Sequence, residues 1–237
     1  LVRSLVQEKA GGLPRDIGTF VFVSDFSRSI IEPHLPKGAR CLTVGNPVDV
    51  PRSEPAPVAA ASDALFVGRL SAEKGPILFA KAAAMAGVRP VFIGDGQLKD
   101  AVQACNPSAV LRGWLPRSDV FAAMQASRCL VLPSLWYETQ GLVVAEAAAL
   151  GVPAIVPDSS AARDMVVDGV TGHWFTGGDT DDLARKLSLL KDPTHAETLG
   201  RAAHQRFWQN PITLDRHLDS LERLYAGLPE PTTLPRR

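Results

Sequence analysis

The sequence predicts an α/β protein: a parallel sheet with helices on both faces, preceded by a short strand–helix–strand piece. Two observations lead there. From Leu65 onward, short continuous apolar runs alternate with helical patterns, and continuous apolar strands mark a parallel sheet covered on both sides. Ahead of them, "PRSEPAPVAAAS" is rich in Pro and Ala. That is a linker composition, and it divides the chain near residue 50.

The elements follow in order. "GTFVFVSDFSRSIIEPHL" reads as strand then helix, and "ARCLTVGNPVDV" as another strand. "LFVG" (65–68) opens the main sheet. "EKGPILFAKAAAMAG" is a turn and an Ala-rich helix stopped by Gly87. "RPVFIG" (89–94) is the next strand and "QLKDAVQAC" a short helix. "SAVLRG" (108–113) is the third strand, and "RSDVFAAMQAS" a helix with Ser118 as N-cap. "CLVLPS" (129–134) is the fourth, the segment from Leu142 to Leu150 a buried helix, and "VPAIVPD" (152–158) the fifth. After "VTGHWF" come helices near 180–191, 195–208 and 212–226. The organisation is thus residues 1–50, a linker at 51–62, the sheet and its C-terminal helices at 63–226, and a loose tail at 227–237.

A chain of 237 residues with 46% hydrophobic content suits one domain plus part of another. Its 25 basic and 25 acidic residues cancel, so nothing electrostatic marks a nucleic-acid or anionic-membrane binder. Cys41, Cys105 and Cys129 are odd in number and far apart, which argues against a disulfide framework and for a reducing compartment. No apolar run is long enough to span a bilayer, and the start lacks a signal peptide. A cytoplasmic setting is expected, with peripheral contact at the inner membrane face left open. The first residue is Leu1, not Met, so the chain is expected to be a fragment or a trimmed product.

In an open parallel sheet, ligands bind beyond the C-terminal ends of the strands. Four loops lie there: "GRLSAEKG" (68–75), "GDGQ" (94–97), "RGWL" (112–115) and "PSLWYETQG" (133–141). Arg69 and Lys74, in a Gly-bracketed loop, suit a diphosphate, although a solvated loop with an Arg69–Glu73 contact explains them alone. Gly94 and Gly96 fit either a tight turn or close approach to a ligand. A helix beginning near Gln140–Gly141 turns free N–H groups toward the crevice, which suits phosphate. Glu146 then lies roughly 7 Å along its axis. Glu138, in the feeding loop, and Glu146 each suit a polyol on either side of a phosphate. The alternative is that Glu146 pairs with a buried Arg and Glu138 is solvated. A carboxylate on so apolar a helix is costly without a partner.

"GRLSAEKG", "GDG" and "ETQGLVVAEAAALGVPAI", followed by "DGVTG" (168–172), resemble glycosyltransferase family four. The likeness covers roughly residues 19–226, most specifically 65–192. It implies the GT-B fold of two Rossmann-like domains, of which this chain would hold the donor-binding half and a remnant of the other. It implies a retaining, metal-independent transfer from a UDP- or GDP-type sugar to a glycan or lipid-linked acceptor, with no cofactor. Arg69 and Lys74 would bind the diphosphate, and Glu138 the sugar hydroxyls. Gly141 and Leu142 would offer backbone N–H groups, and Glu146 would hold the ribose. Arg112 to Leu115 would touch the base, and Gly68, Gly94 and Gly96 would line the donor site.

Departures stand beside the likeness. The family often has Glu-Pro-Phe-Gly where this chain has Glu138-Thr139-Gln140-Gly141, and 158–166 carries fewer glycines. The acceptor domain is represented only by "VFVSDFSRSII" and "VGNPVDV". His34, His173, His195, His204 and His217 are expected as surface or packing residues. A nucleotide-binding module without transfer activity is the rival reading. Residues 1–50 are expected to self-associate or to dock on the C-terminal helices near Phe207, Trp208 and Leu221.

Overall fold

The structure, a computed structural model, describes residues 17–227. A small unit comes first: β1 (Thr19–Phe22), α1 (Asp25–Ile31) and β2 (Arg40–Thr43), with β1 and β2 paired in parallel. Ser24 caps α1, its hydroxyl accepting from Ser27 N–H at 3.1 Å. The main sheet holds β3 (Ala64–Val67), β4 (Pro90–Ile93), β5 (Val110–Leu111), β6 (Cys129–Val131), β7 (Ala154–Pro157) and β8 (Gly172–Phe175), all parallel, in the order β5-β4-β3-β6-β7-β8. Its helices are α2 (Pro76–Ala86), α3 (Lys99–Cys105), α4 (Arg117–Gln125), α5 (Leu142–Ala149), α6 (Thr180–Leu189), α7 (Pro193–Gln209) and α8 (Leu214–Ala226).

The apolar runs form strands because both sheet faces are covered. Leu65, Phe66, Phe92, Leu130 and Ile155 are buried, and the Phe66, Phe92 and Phe79 rings stack in sequence at 5.4 and 5.1 Å. The α/β reading therefore holds, with three corrections. The third strand shrinks to Val110–Leu111, and beyond it Gly113 meets Gly94 in an isolated antiparallel bridge. Ser118 is not a cap: Pro116, with φ −59° and ψ 154°, leads straight into α4 at Arg117, and the Ser118 hydroxyl donates to Asp119 Oδ1 instead. A sixth strand, β8, pairs with β7 along "GHWF".

The Pro- and Ala-rich segment at 51–62 is packed. Ala56 and Val58 are buried, and Ala56 N–H donates to the Leu150 carbonyl at 2.8 Å. The Arg128 guanidinium donates to the Ala61 carbonyl at 2.8 Å and to Leu190 and Lys191 carbonyls at 2.9 and 3.0 Å. The small unit leans on α8 and its approach: Val48 N–H donates to the Ile212 carbonyl at 2.8 Å, and His217 Nδ1 to the Gly45 carbonyl at 2.9 Å. Arg52 lies over the Trp208 ring, and Arg40 donates to the Gly227 carbonyl. Docking on the C-terminal helices thus occurs, centred on Ile212 and His217. The rest of that expectation, for residues 1–16, and nearly all of the expected loose tail lie outside the described residues.

On β8, His173 is buried with its Nε2 3.0 Å from His195 Nε2, and Asp168 Oδ1 is 3.5 Å from its Nδ1. Burial, and then the Lys186 charge, push the imidazole below its ordinary value of 6.5, with Asp168 opposing. The native chain thus resists a proton that the unfolded chain accepts, so this contribution is intact above pH 6.5 and is lost as pH falls below it. Thermal melts across that range should show a falling Tm on the acid side. In His173→Gln that acid-side slope should flatten; an unchanged slope would mean the pair does not titrate with folding.

Candidate active site

Strand order runs outward from β3 through β4 and β5 in one direction, and from β6 through β7 and β8 in the other. The reversal lies between β3 and β6, where their following loops part and open a crevice. Those loops are 68–75 and 133–141, the two that carry Arg69, Lys74 and Glu138.

Glycine brings the loops together. At Gly75, φ is +65° and a Cβ would overlap the Pro133 carbonyl oxygen. No other residue permits both. Leu135 N–H and the Ser134 hydroxyl then donate to the Glu73 carbonyl at 2.9 and 3.0 Å. Gly94 (φ +127°) has the same function on the other flank: a Cβ would strike the Gly68 carbonyl oxygen. At Gly96 it would lie 2.5 Å from the Leu70 carbonyl oxygen. The "GDG" glycines therefore serve the meeting of two loops.

Lys74 Nζ reaches Glu138 Oε1 at 2.6 Å, with the side chains 30% and 14% exposed. Glu138 has φ +44°, the only non-glycine residue with positive φ among the described residues. Such a conformation costs on the order of 1–3 kcal/mol and clusters at functional sites. Gly141 (φ +80°) then opens α5, whose N-terminus has no side-chain cap. Its first N–H groups have no helical acceptor and follow the loop that carries Glu138, an arrangement that suits an anion.

Glu146 lies in the second turn of α5. Burial raises its carboxyl above the ordinary carboxylate range, and the Arg117 guanidinium counteracts this. Arg117 Nη2 is 3.4 Å from Glu146 Oε1, and Nη1 is 3.4 Å from Asp49 Oδ2. Glu146 therefore does pair with an arginine, but one that is 51% exposed and stacked over Phe121. Sequence reasoning missed Arg117. The available signal was a cation at the start of a helix, where the macrodipole opposes it.

The remaining expected residues divide. Arg69 is exposed on its loop; Glu73 accepts from the Ser71 hydroxyl at 2.6 Å, and the Arg69 charge further favours that carboxylate. Leu142 begins α5 beside the crevice. Arg112 and Leu115 lie in the lining of a recess with Asp63, Val91 and Asp119. The backbone of that stretch reaches the strand ends, Gly113 accepting from Gly94 N–H at 2.7 Å. Among the described residues no cluster of three His, Cys, Asp or Glu side chains is placed to hold a metal.

Residues 56–206 match the family "Glycosyl transferases group 1". The chain belongs to this family. It is 32% identical over 148 residues to sulfoquinovosyl transferase SQD2 of Arabidopsis thaliana, covering 60% of this chain and 29% of that protein. Glycogen synthase of Mycobacterium tuberculosis is 32% identical over 182 residues, covering 69% and 42%. The chain thus spans less than half the length of these relatives. Among solved structures, Anabaena HepE in complex with UDP superposes with a TM-score of 0.79 at 18% identity, covering 96% of this chain and 69% of that one. Sucrose-phosphate synthase from Thermosynechococcus elongatus gives 0.77 at 21%, covering 88% and 57%. These structural likenesses establish the fold, a Rossmann-like parallel α/β sheet that matches GT-B glycosyltransferases.

The 2.6 Å ion pair has a direct test. Lys74→Gln leaves the largely buried Glu138 carboxylate without its cation and should lower unfolding free energy by about 1–3 kcal/mol. Adding Glu138→Gln should recover part of the loss. A strictly additive double-mutant cycle would show that the two groups do not interact.

Proposed function

We propose that the chain is the donor-binding part of a retaining, metal-independent glycosyltransferase that uses a UDP- or GDP-type sugar. The observation that carries this reading is the Lys74–Glu138 pair at the strand-order reversal, beside the uncapped α5 N-terminus. A diphosphate between Arg69, Lys74 and α5 draws Lys74 toward phosphate and frees Glu138 to accept from sugar hydroxyls. Glu146 accepts from the ribose diol. The anomeric carbon–oxygen bond breaks with its electron pair passing to the β-phosphate, which the two cations and the helix terminus stabilise. The acceptor hydroxyl attacks from that same face and gives its proton to the departing phosphate oxygen, so configuration is kept.

Relatives support the donor and acceptor classes. One is a GDP-mannose-dependent alpha-mannosyltransferase of Mycobacterium tuberculosis, 37% identical over 114 residues. Another, 27% identical over 177 residues, is the Escherichia coli UDP-Gal:alpha-D-GlcNAc-diphosphoundecaprenol alpha-1,3-galactosyltransferase. A glycan or lipid-linked acceptor and a cytoplasmic, membrane-peripheral setting follow as part of the proposal. Among the described residues no helix is long and apolar enough to cross a membrane. Because the chain spans only part of its relatives, a nucleotide-binding module without transfer remains the second reading. Association through residues 1–50 is proposed for the chain alone, since Val21, Ile30 and Ile31 stay exposed.

Calorimetry with UDP, GDP and ADP tests the donor site. One nucleoside diphosphate should bind equally with and without EDTA; loss of binding in EDTA would refute metal independence. Glu146→Gln should weaken that nucleotide by on the order of 1.5–3 kcal/mol, the worth of a charged hydrogen bond. Glu138→Gln should spare it and weaken only the nucleotide sugar. Equal effects on the plain nucleotide would sink this division of roles.

A further inference from the structure

Directly before Gly141 stands Gln140, a polar residue only 4% exposed. Both of its amide atoms are engaged, and on another part of the chain. Oε1 accepts from Asn46 N–H at 2.8 Å, and Nε2 donates to the Asn46 carbonyl at 3.1 Å. One side chain thus pairs with both backbone groups of a single residue, as a neighbouring strand would. The approach is close: a Cβ on Gly45 would lie 3.1 Å from Gln140 Nε2.

Asn46 is on the segment leaving β2 of the small unit. That unit touches the donor loop elsewhere too. The Ser24 hydroxyl donates to the Thr139 carbonyl at 2.7 Å, and Phe26 N–H donates to Asp164 Oδ2 at 3.1 Å. Three residues after Asn46, Asp49 shares Arg117 with Glu146. Both proposed ligand-gripping carboxylates are therefore one step from the same four-residue segment, 46–49. Glu138 reaches it through the next two residues of its own loop, and Glu146 through a guanidinium.

We infer that Gln140 is a positioning residue whose clasp on Asn46 sets the 138–141 backbone and couples the small unit to the sugar-binding end of the donor site. The inference rests on the proposed donor reading. The physical reason lies in the flanking backbone. Glu138 at φ +44° is left-handed, a conformation that persists in a non-glycine residue only where surroundings over-determine it; Gly141 at φ +80° adopts it freely. An aromatic residue at 140 fills volume but fixes no backbone register. The amide fixes register through two directional bonds, so any displacement of 46–49 is passed to the peptide units on either side of Thr139 and Gln140. A purely space-filling glutamine would not place both amide atoms on one residue's backbone.

The test compares the parent chain with Gln140→Glu, which keeps shape, and Gln140→Phe, which keeps volume. Amide hydrogen exchange is read without ligand. Affinities are read for UDP against UDP-glucose and GDP against GDP-mannose, using the pair that the parent binds. In Gln140→Phe, Asn46 and residues 138–144 should exchange about tenfold faster, as expected for loss of one hydrogen bond's contribution. Nucleotide-sugar affinity should fall about tenfold while the plain nucleotide stays within about twofold. Gln140→Glu, once ionised, cannot donate to the Asn46 carbonyl. Its deficit relative to the parent should shrink as pH falls and the carboxyl regains a proton. Unchanged exchange at 138–144, or equal loss of nucleotide and nucleotide sugar, would overturn the inference. If the parent binds neither pair, the donor reading fails, and the exchange result alone decides whether the clasp sets the loop.

Discussion

The point where the strand order reverses governs the rest of this structure. β3 and β6 share a ladder, but the chain leaves them in opposite lateral directions. Crossover connections on the two sides cannot both cover the ends of these strands, so a crevice is a topological necessity. What the sequence adds is the closeness of its walls. Without a side chain at Gly75, the loop after β3 can touch the Pro133 carbonyl directly, and Lys74 is thereby brought within 2.6 Å of Glu138. Remove that approach and the cation and carboxylate belong to separate surfaces.

The charge pattern follows from burial. Each carboxylate of the crevice has a guanidinium or ammonium against it: Lys74 on Glu138 and Arg117 on Glu146. A half-buried carboxylate without such a partner would lose much of its hydration for nothing in return. Glu146 shows the tension, since burial lifts its carboxyl and Arg117 only offsets the effect. Neither pair is sealed from solvent. Both partners of Glu146 and Glu138 keep exposure enough to exchange one contact for another, which a deeply buried pair could not do without a large penalty.

How much of this was legible depended on whether the signal was local. "LFVG", "RPVFIG", "CLVLPS" and "VPAIVPD" announced β3, β4, β6 and β7, because a strand buried on both faces must be apolar throughout. β8 escaped because "GHWF" is short and begins with Gly, so it had neither an apolar run nor alternation. Ser118 misled because a good capping residue stood one position inside a helix that Pro116 had already begun. The loops bearing Arg69, Lys74 and Glu138 were placed correctly from strand ends alone. Their contacts were not readable: the Lys74–Glu138 pair spans 64 positions, and no local pattern encodes a separation of that kind.

The small N-terminal unit carries the argument one step further. A two-stranded sheet has little core of its own, and α1 has no buried residue. Its attachment is apolar at Val48 and Val50, which join the main core, and polar and backbone-directed elsewhere: Ser24 to Thr139, Phe26 to Asp164, Asn46 to Gln140, Gly45 to His217 and Val48 to Ile212. Hydrogen bonds have direction where apolar contacts have little, so these bonds fix orientation beyond what burial of Val48 and Val50 supplies. Three of these five contacts end on the loop that carries Glu138 or on the short helical turn facing it. The chain spends its most directional contacts at the place where ligand geometry is decided. The exposed Val21, Ile30 and Ile31 meanwhile leave the opposite side of the unit free for further packing.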